Sequence, residues 1–328
     1  MLKAIKGVTP GVILLNVFIL LALWFSAFLF QGQQSVFSDH RSMPLYFILR
    51  NLTGPGQIEI IISLAFILLI SYLLVHYNTI LFFIPERTIV PSVLYAIFTG
   101  FFINYQTLHP VIPASIFMLI ALRRIIDAYH VNGTAFSFFD ASLLIGVGSL
   151  FYANLIWFGI IPLIGVIILK GYKLKEMMLS IAGIPVTLLI TAGIYYLFSP
   201  GISGLIENLR FNLFSEVDSY NFSIVELAGI ATGGITLLAG IIFVFKRIKN
   251  MKIKSRKIFI LLLWWCLISV ALYFISPAVS VEISYLAAIP SVYYISYYFI
   301  FSKSKIIPLA IFIAFIVCAA VIQALRYF

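Results

Sequence analysis

Residues 140–169 read DASLLIGVGSLFYANLIWFGIIPLIGVIIL, and how often this stretch crosses a bilayer decides the topology of everything around it. As one helix it would extend about 45 Å at 1.5 Å per residue, well beyond the roughly 30 Å of hydrocarbon it has to span. A single pass would also strand Lys170, Lys173 and Lys175 on the side opposite the chain's other inter-span cations. A break near Asn154 gives two short passes and returns those lysines to the cationic side, which satisfies both length and charge.

Working outward from that break, the apolar runs alternate. The segments 11–30, 58–76, 89–103 and 111–122 precede it, and 177–198, 224–245, 258–275, 283–301 and 306–325 follow. With the two halves of 140–169 this predicts an all-α, polytopic helical membrane protein of about ten or eleven spans. Lys3 and Lys6 precede the first run, which is long for a signal-peptide core and is expected to be retained, with the N-terminus on the cytoplasmic side. On this reading 17 of the 21 Lys and Arg face the cytoplasm, seven of them in the loop 246–257. The exceptions are Arg41, Arg50, Arg210 and Arg326. Asp39, Glu59, Glu207, Glu216, Asp218, Glu226 and Glu282 fall on the other side.

Composition closes off several classes. A chain that is 63% hydrophobic and 10% charged, with mean hydropathy +1.13, has too little polar surface to cover a soluble domain. The net charge of +10 sits in short loops between spans, the positive-inside pattern, and argues against a nucleic-acid partner. Cys266 and Cys318 lie inside apolar runs and read as packing residues. His40, His76, His109 and His130 divide between the two sides and cannot form one metal cluster, so no metal or other cofactor is expected. No acid falls near the middle of a span, which disfavours ion-coupled transport and voltage sensing. Neither a phosphate-binding glycine loop nor a nucleophile elbow is present. The absence of linkers and repeats predicts one domain over 1–328. Gly229 and Gly233, with Gly234 and Gly240, suggest a small-residue face for close helix packing.

Chemistry is therefore sought in the two outer segments. The first, 31–57, carries Asp39-His40-Arg41, an acid, an imidazole and a guanidinium just beyond a span. Residues 44–52 read as an interfacial helix with Tyr46, Phe47 and Leu49 turned toward the lipid and Arg50 at headgroup level. The second, 199–223, sets Ile202, Leu205, Leu209 and Leu213 on one helical face, with Arg210 as a candidate phosphate contact. The short central spans would leave a water-filled recess rimmed by Asn104, Tyr105, Gln106, Thr107, His109 and Asn154. Asp140 is expected to cap a helix start. Glu282 also stands at a helix start, either as a cap or as a contact for a sugar or an arginine.

The stretches ERTIVPSVLYAIFTGF (86–101), LHPVIPASIFMLIALRRI (108–125) and FSFFDASLLIGVGSLFYANLIWFGIIPLIGVIIL (136–169) resemble a family of bacterial polytopic proteins without an assigned activity, and Asp39 in the first outer loop, the interfacial and short helices and a late YLAAIP segment (285–290) carry its onward likeness. That family is similar to the GT-C superfamily of membrane glycosyltransferases, which take sugars from polyprenyl-phosphate carriers on the non-cytoplasmic face. The resemblance implies a multi-pass inner-membrane enzyme without a cofactor, whose partners are a lipid-linked sugar, membrane lipids and other membrane proteins. Asp39 would be the general base of an inverting displacement. His40, Arg41, Arg50 and Arg210 would meet the lipid phosphate, and Tyr105, His109 and Glu282 would bind substrate. Many such enzymes pair two acids in the first loop, whereas here His40 follows Asp39. Two other readings stay open: a non-catalytic subunit of an envelope-assembly complex, and a flippase for lipid-linked sugars.

Overall fold

The computed structural model describes residues 7, 10–29, 41–54, 56–102, 105–129, 135–198, 202–216, 220, 222–304 and 306–325. Asp39, His40 and Asn104 lie outside the described residues. The fold is all-helical. Helix α1 (Pro10–Leu29) is followed by the short α2 (Pro44–Thr53), then α3 (Gln57–Leu81), α4 (Val90–Thr99), α5 (Val111–Asp127) and α6 (Ala135–Ser149). A 3-10 helix (Ala153–Gly159) leads into α7 (Ile160–Lys170) and α8 (Leu174–Phe198). After a second short helix, α9 (Ser203–Phe214), come α10 (Ile224–Arg247), α11 (Ile253–Ile275), α12 (Ile283–Phe301) and α13 (Ile306–Leu325). Among the described residues eight helices are long and apolar enough to cross a membrane, the 3-10 helix with α7 counting as one. The shorter α4, α5 and α6 pass between them.

Side-chain ties at the two ends fix the alternation. At one pole Ser255 Oγ donates to the Phe82 carbonyl at 2.9 Å, and Lys257 Nζ donates to the Leu169 carbonyl at 3.3 Å. Arg123 stands over the Tyr77 ring, and Lys252 over that of Phe82. This is the pole of the lysines and arginines. At the opposite pole Leu45 N donates to Leu150 O at 3.0 Å, and Tyr46 hydroxyl to Leu108 O at 2.7 Å. There too the Tyr285 hydroxyl donates to Tyr105 O at 3.0 Å. The chain reverses at 149–153, so residues 140–169 make two passes and the lysines after Leu169 rejoin the cationic pole.

Helices are the natural solution here, because hydrocarbon offers the backbone no hydrogen-bond partners. The outer helices leave large apolar side chains bare: Leu189 and Leu197 of α8 are 72% and 76% exposed. A belt of that kind fits lipid rather than water. The inner helices α4, α5 and α12 are buried nearly throughout. Helix α6 runs against α8 at very close range. A Cβ added at Gly183 would meet the Leu143 backbone nitrogen at 2.4 Å, so only glycine lets these backbones approach. Helix α10 begins with a capping box, Ser223 Oγ accepting from Glu226 N at 3.2 Å while Glu226 Oε2 accepts from Ser223 N at 2.8 Å.

Several expected boundaries move. Helix α5 runs past Arg123 and Arg124 to Asp127, because Arg123 bends onto Tyr77 and pairs with Asp127 at 3.5 Å. Helix α6 starts at Ala135, so Asp140 lies inside the helix and does not cap its start. Helix α4 ends at Thr99, and residues 100–102 lie outside any helix. The interfacial helix at 44–53 is present, but Tyr46 turns inward while Phe47, Ile48 and Leu52 are exposed.

Candidate functional site

The site sits at the pole opposite the cations, among the segments that connect the helices there. Its buried centre is Glu282, just ahead of α12. Its side chain makes no capping hydrogen bond to that helix. Glu282 Oε1 instead accepts from Ser280 N at 2.9 Å and from the Tyr152 hydroxyl at 3.3 Å, 130 residues away in sequence. Glu282 is 4% exposed, and burial raises its pKa, opposed by the Ser280 and Tyr152 hydrogen bonds. Burial, followed by the nearby Glu282 carboxyl, pushes the Tyr105 hydroxyl up to about 12. Tyr105 packs edge-on against His109, with ring centroids 5.3 Å apart, and against Tyr220 at 5.7 Å. Burial lowers His109 to about 3, so its imidazole is neutral, with Nδ1 accepting from Val111 N at 3.4 Å.

A second layer lies outside this centre. Asn154 Nδ2 donates to Asn212 O at 3.0 Å and Ala278 O at 3.4 Å, joining the 3-10 turn to α9 and to the loop before α12. Asn154 Oδ1 is buried with no hydrogen-bond partner among the described residues. Arg41 Nη1 stands 3.8 Å from Glu207 Oε2, with the guanidinium 5.4 Å over the Phe211 ring. Glu59 Oε1 accepts from Leu108 N at 3.2 Å and feels the charge of Arg50. Arg210 is exposed on α9.

The structure thus brings together Tyr105, His109 and Glu282, and places Arg50 on α2 and Arg210 on α9, with Arg41 ahead of α2 and tied to α9. It does not keep the expected recess. Gln106 is fully buried and donates to Leu23 O at 3.1 Å, and His109 and Asn154 are packed rather than wetted. Tyr152 and Ser280, the partners of Glu282, carry no signal that sequence reasoning could have used. Among the described residues no three His, Cys, Asp or Glu come together as a metal would require.

Below the polar centre runs an apolar groove of about 190 Å³. Its walls are Phe98 and Thr99 at the end of α4 with Phe101 and Phe102 beyond it, the α10 face with Gly229, Gly233 and Gly234, and the α12 face from Ser284 and Tyr285 down to Ser291 and Ile295. Tyr285 belongs to both, lining the groove and donating to the Tyr105 carbonyl. This corrects the expected packing role of the glycines. A Cβ at Gly234 would meet nothing within 4 Å, and one at Gly233 only Phe98 at 3.8 Å. Of this set, Gly240 alone faces a neighbouring backbone tightly: a Cβ there would stand 2.9 Å from Tyr294 O.

The described residues form an all-helical, multi-pass membrane fold. The chain is similar over 96% of its length to the Archaeoglobus fulgidus oligosaccharyltransferase, at 12% identity. The similarity holds for the form tethered to an acceptor peptide (TM-score 0.52), the apo form (0.53), and AglB in complex with an inhibitory peptide and a dolichol-phosphate (0.53). The chain spans 55% of the length of those archaeal proteins. No protein-family model and no curated protein matches it.

Proposed function

We propose that this protein is a membrane glycosyltransferase that takes a sugar from a polyprenyl-phosphate carrier and passes it to an acceptor hydroxyl at the pole opposite the lysines. The observation that carries the reading is the apolar groove that leads from Tyr285, beside the Tyr105–Glu282 centre, down between α4, α10 and α12. A phosphate at the pole with an isoprenoid chain in the groove suits that shape. The shared fold supports the same reading, since one matched structure holds a dolichol-phosphate. By the positive-inside rule the cationic pole, with the N-terminus, is cytoplasmic.

In this reading Asp39 removes the proton of the acceptor hydroxyl. The oxygen attacks the anomeric carbon, the bond from that carbon to the phosphate oxygen breaks, and polyprenyl phosphate leaves with the electron pair. A single displacement inverts the anomeric centre. Arg50, Arg210, Arg41 and His40 supply positive charge to the departing phosphate. Tyr105 and His109, held neutral by burial at neutral pH, and Glu282, whose carboxyl burial shifts toward its protonated form, form a floor of hydrogen-bonding groups.

The test is purified protein in proteoliposomes, supplied with polyprenyl-phosphate sugars extracted from the source membranes. Release of free polyprenyl phosphate with an inverted glycoside is expected from the wild type, and its loss is expected on Asp39→Asn. Release no greater than from empty liposomes would refute the enzyme reading, and full activity in Asp39→Asn would remove Asp39 from it.

A further inference from the structure

At the cationic pole, cations from two helices gather at one spot. The start of α11 carries Lys252, Lys254, Arg256 and Lys257, and α7 ends on Lys170. Helix α11 packs against α7. Lys257 Nζ donates at 3.3 Å to the carbonyl of Leu169, the residue before Lys170, and stands 5.1 Å over the ring of Tyr129, just past the end of α5. It feels the charges of Arg256 and Lys170. Among the described residues neither Arg256 nor Lys257 is paired with an acid. Asp127, the acid closest in sequence to Tyr129, is taken by Arg123 at 3.5 Å.

The positive-inside rule asks that lysines and arginines stay on this side of the membrane; it gives no reason to bring three of them together. Like charges at close range repel, and cations at the start of a helix oppose its dipole. The first turn of α11 holds no acid, and its cap residue, Lys252, makes no side-chain capping bond. One anion would relieve both conflicts. The surface beneath the cations favours a lipid over a soluble anion. Arg256 is exposed, and the α11 face it heads continues through the half-buried Ile260 to the bare Trp264 and Leu267, at i+4, i+8 and i+11. A soluble anion makes no use of that stripe, whereas an acyl chain covers it.

We propose that Lys170, Arg256 and Lys257 form a binding site for an acidic phospholipid of the cytoplasmic leaflet, with its phosphate on the three cations and an acyl chain along Ile260, Trp264 and Leu267. Such a lipid braces the start of α11 against the end of α7. The site is separate from the groove between α4, α10 and α12, and it stands whatever reaction occurs at the other pole.

The experiment places the full chain in phosphatidylcholine nanodiscs that contain a minor share of phosphatidylglycerol with a diazirine in its acyl chain, and maps the adducts by peptide. Adducts on 258–268 are expected, displaced by unlabelled phosphatidylglycerol and not by inorganic phosphate at matched ionic strength. A cation near the membrane surface contributes about fivefold to the affinity for acidic lipid. Arg256→Gln/Lys257→Gln should therefore raise the labelled lipid needed for half-maximal labelling about thirtyfold. The control Lys246→Gln/Lys249→Gln removes the same charge from exposed positions in the same basic loop and should leave that value within about twofold. If the double variant does not insert, Arg256→Gln alone, a change at an exposed position, should show a shift of about fivefold. Equal labelling by a diazirine phosphatidylcholine, an unshifted Arg256→Gln, or an equal shift in the control variant would overturn the site. Displacement by inorganic phosphate would assign the cations to a soluble anion and overturn the lipid.

Discussion

Filling the groove at Gly233 should weaken the lipid-linked donor in steps that follow the size of the new side chain. A Cβ there would have Phe98 as its only neighbour, at an ordinary contact distance of 3.8 Å, so Ala and larger residues enter the groove without disturbing a helix contact. The groove holds about 190 Å³, or roughly six units the size of a water molecule at about 30 Å³ each, and a methylene is of similar size. Each methylene kept from burial costs about 0.8 kcal/mol. Gly233→Ala displaces about one such group and should raise the donor KM about fourfold. Gly233→Leu displaces about four, or about 3 kcal/mol, and should raise it about two hundredfold. The assay is donor titration in proteoliposomes, with kcat expected to hold because the reacting groups are at the pole. A donor with a single prenyl unit in place of the long chain should be insensitive to both changes. If Gly233→Leu inserts normally and its donor KM stays within twofold of wild type, the lipid chain does not use this groove.

Other expectations follow from the buried pole. Glu282 has a raised pKa in the folded protein, so its protonated form is favoured there; the stability this gives is fully present below the unfolded pKa and is lost as pH rises through the folded value. Glu282→Gln should flatten that fall of Tm with rising pH, whereas Glu282→Ala should cost about 1–3 kcal/mol for each of the two donors left without an acceptor, Ser280 N and Tyr152 Oη. His109, lowered to about 3, acts in the opposite sense: its stabilising neutral state is intact above the unfolded pKa and is lost as pH falls toward the folded one. A His109→Phe protein should accordingly show a smaller acid-side loss of Tm between about pH 6.5 and 3 than the wild type, and an equal loss would contradict the assignment. Ser223→Ala removes half of a capping box and should lower stability by about 1 kcal/mol, read from thermal melts in detergent.

The topology was legible because charge and length are set by the bilayer rather than by tertiary contacts. The turn after Ser149 could be inferred from thirty apolar residues ahead of three lysines, and both interfacial helices from their position beyond a span. Helix ends were not legible where arginines continue a helix. Arg123 and Arg124 read as a terminus, yet a long side chain can fold back onto Tyr77 while its backbone stays helical. The glycines of α10 misled for a related reason. Small residues at a four-residue spacing admit either a neighbouring backbone or an open groove, and only the position of Phe98 and Phe101 distinguishes the two. The polar centre was half visible: Tyr105, His109 and Glu282 stand out as polar residues near span ends, but Tyr152 and Asn154 are drawn to Glu282 and α9 by contacts across more than fifty residues. Asp39 and His40, on which the sequence reading leaned most, lie outside the described residues.

The most direct measurement is photo-crosslinking with a polyprenyl phosphate that carries a diazirine in its first isoprene units, followed by peptide mapping. Adducts on 229–237 and 284–295, suppressed by unlabelled carrier and by Gly233→Leu, are the expected result. Adducts spread over the lipid-facing side of α8, with neither groove peptide labelled, would contradict a carrier seated beneath the Tyr105–Glu282 centre.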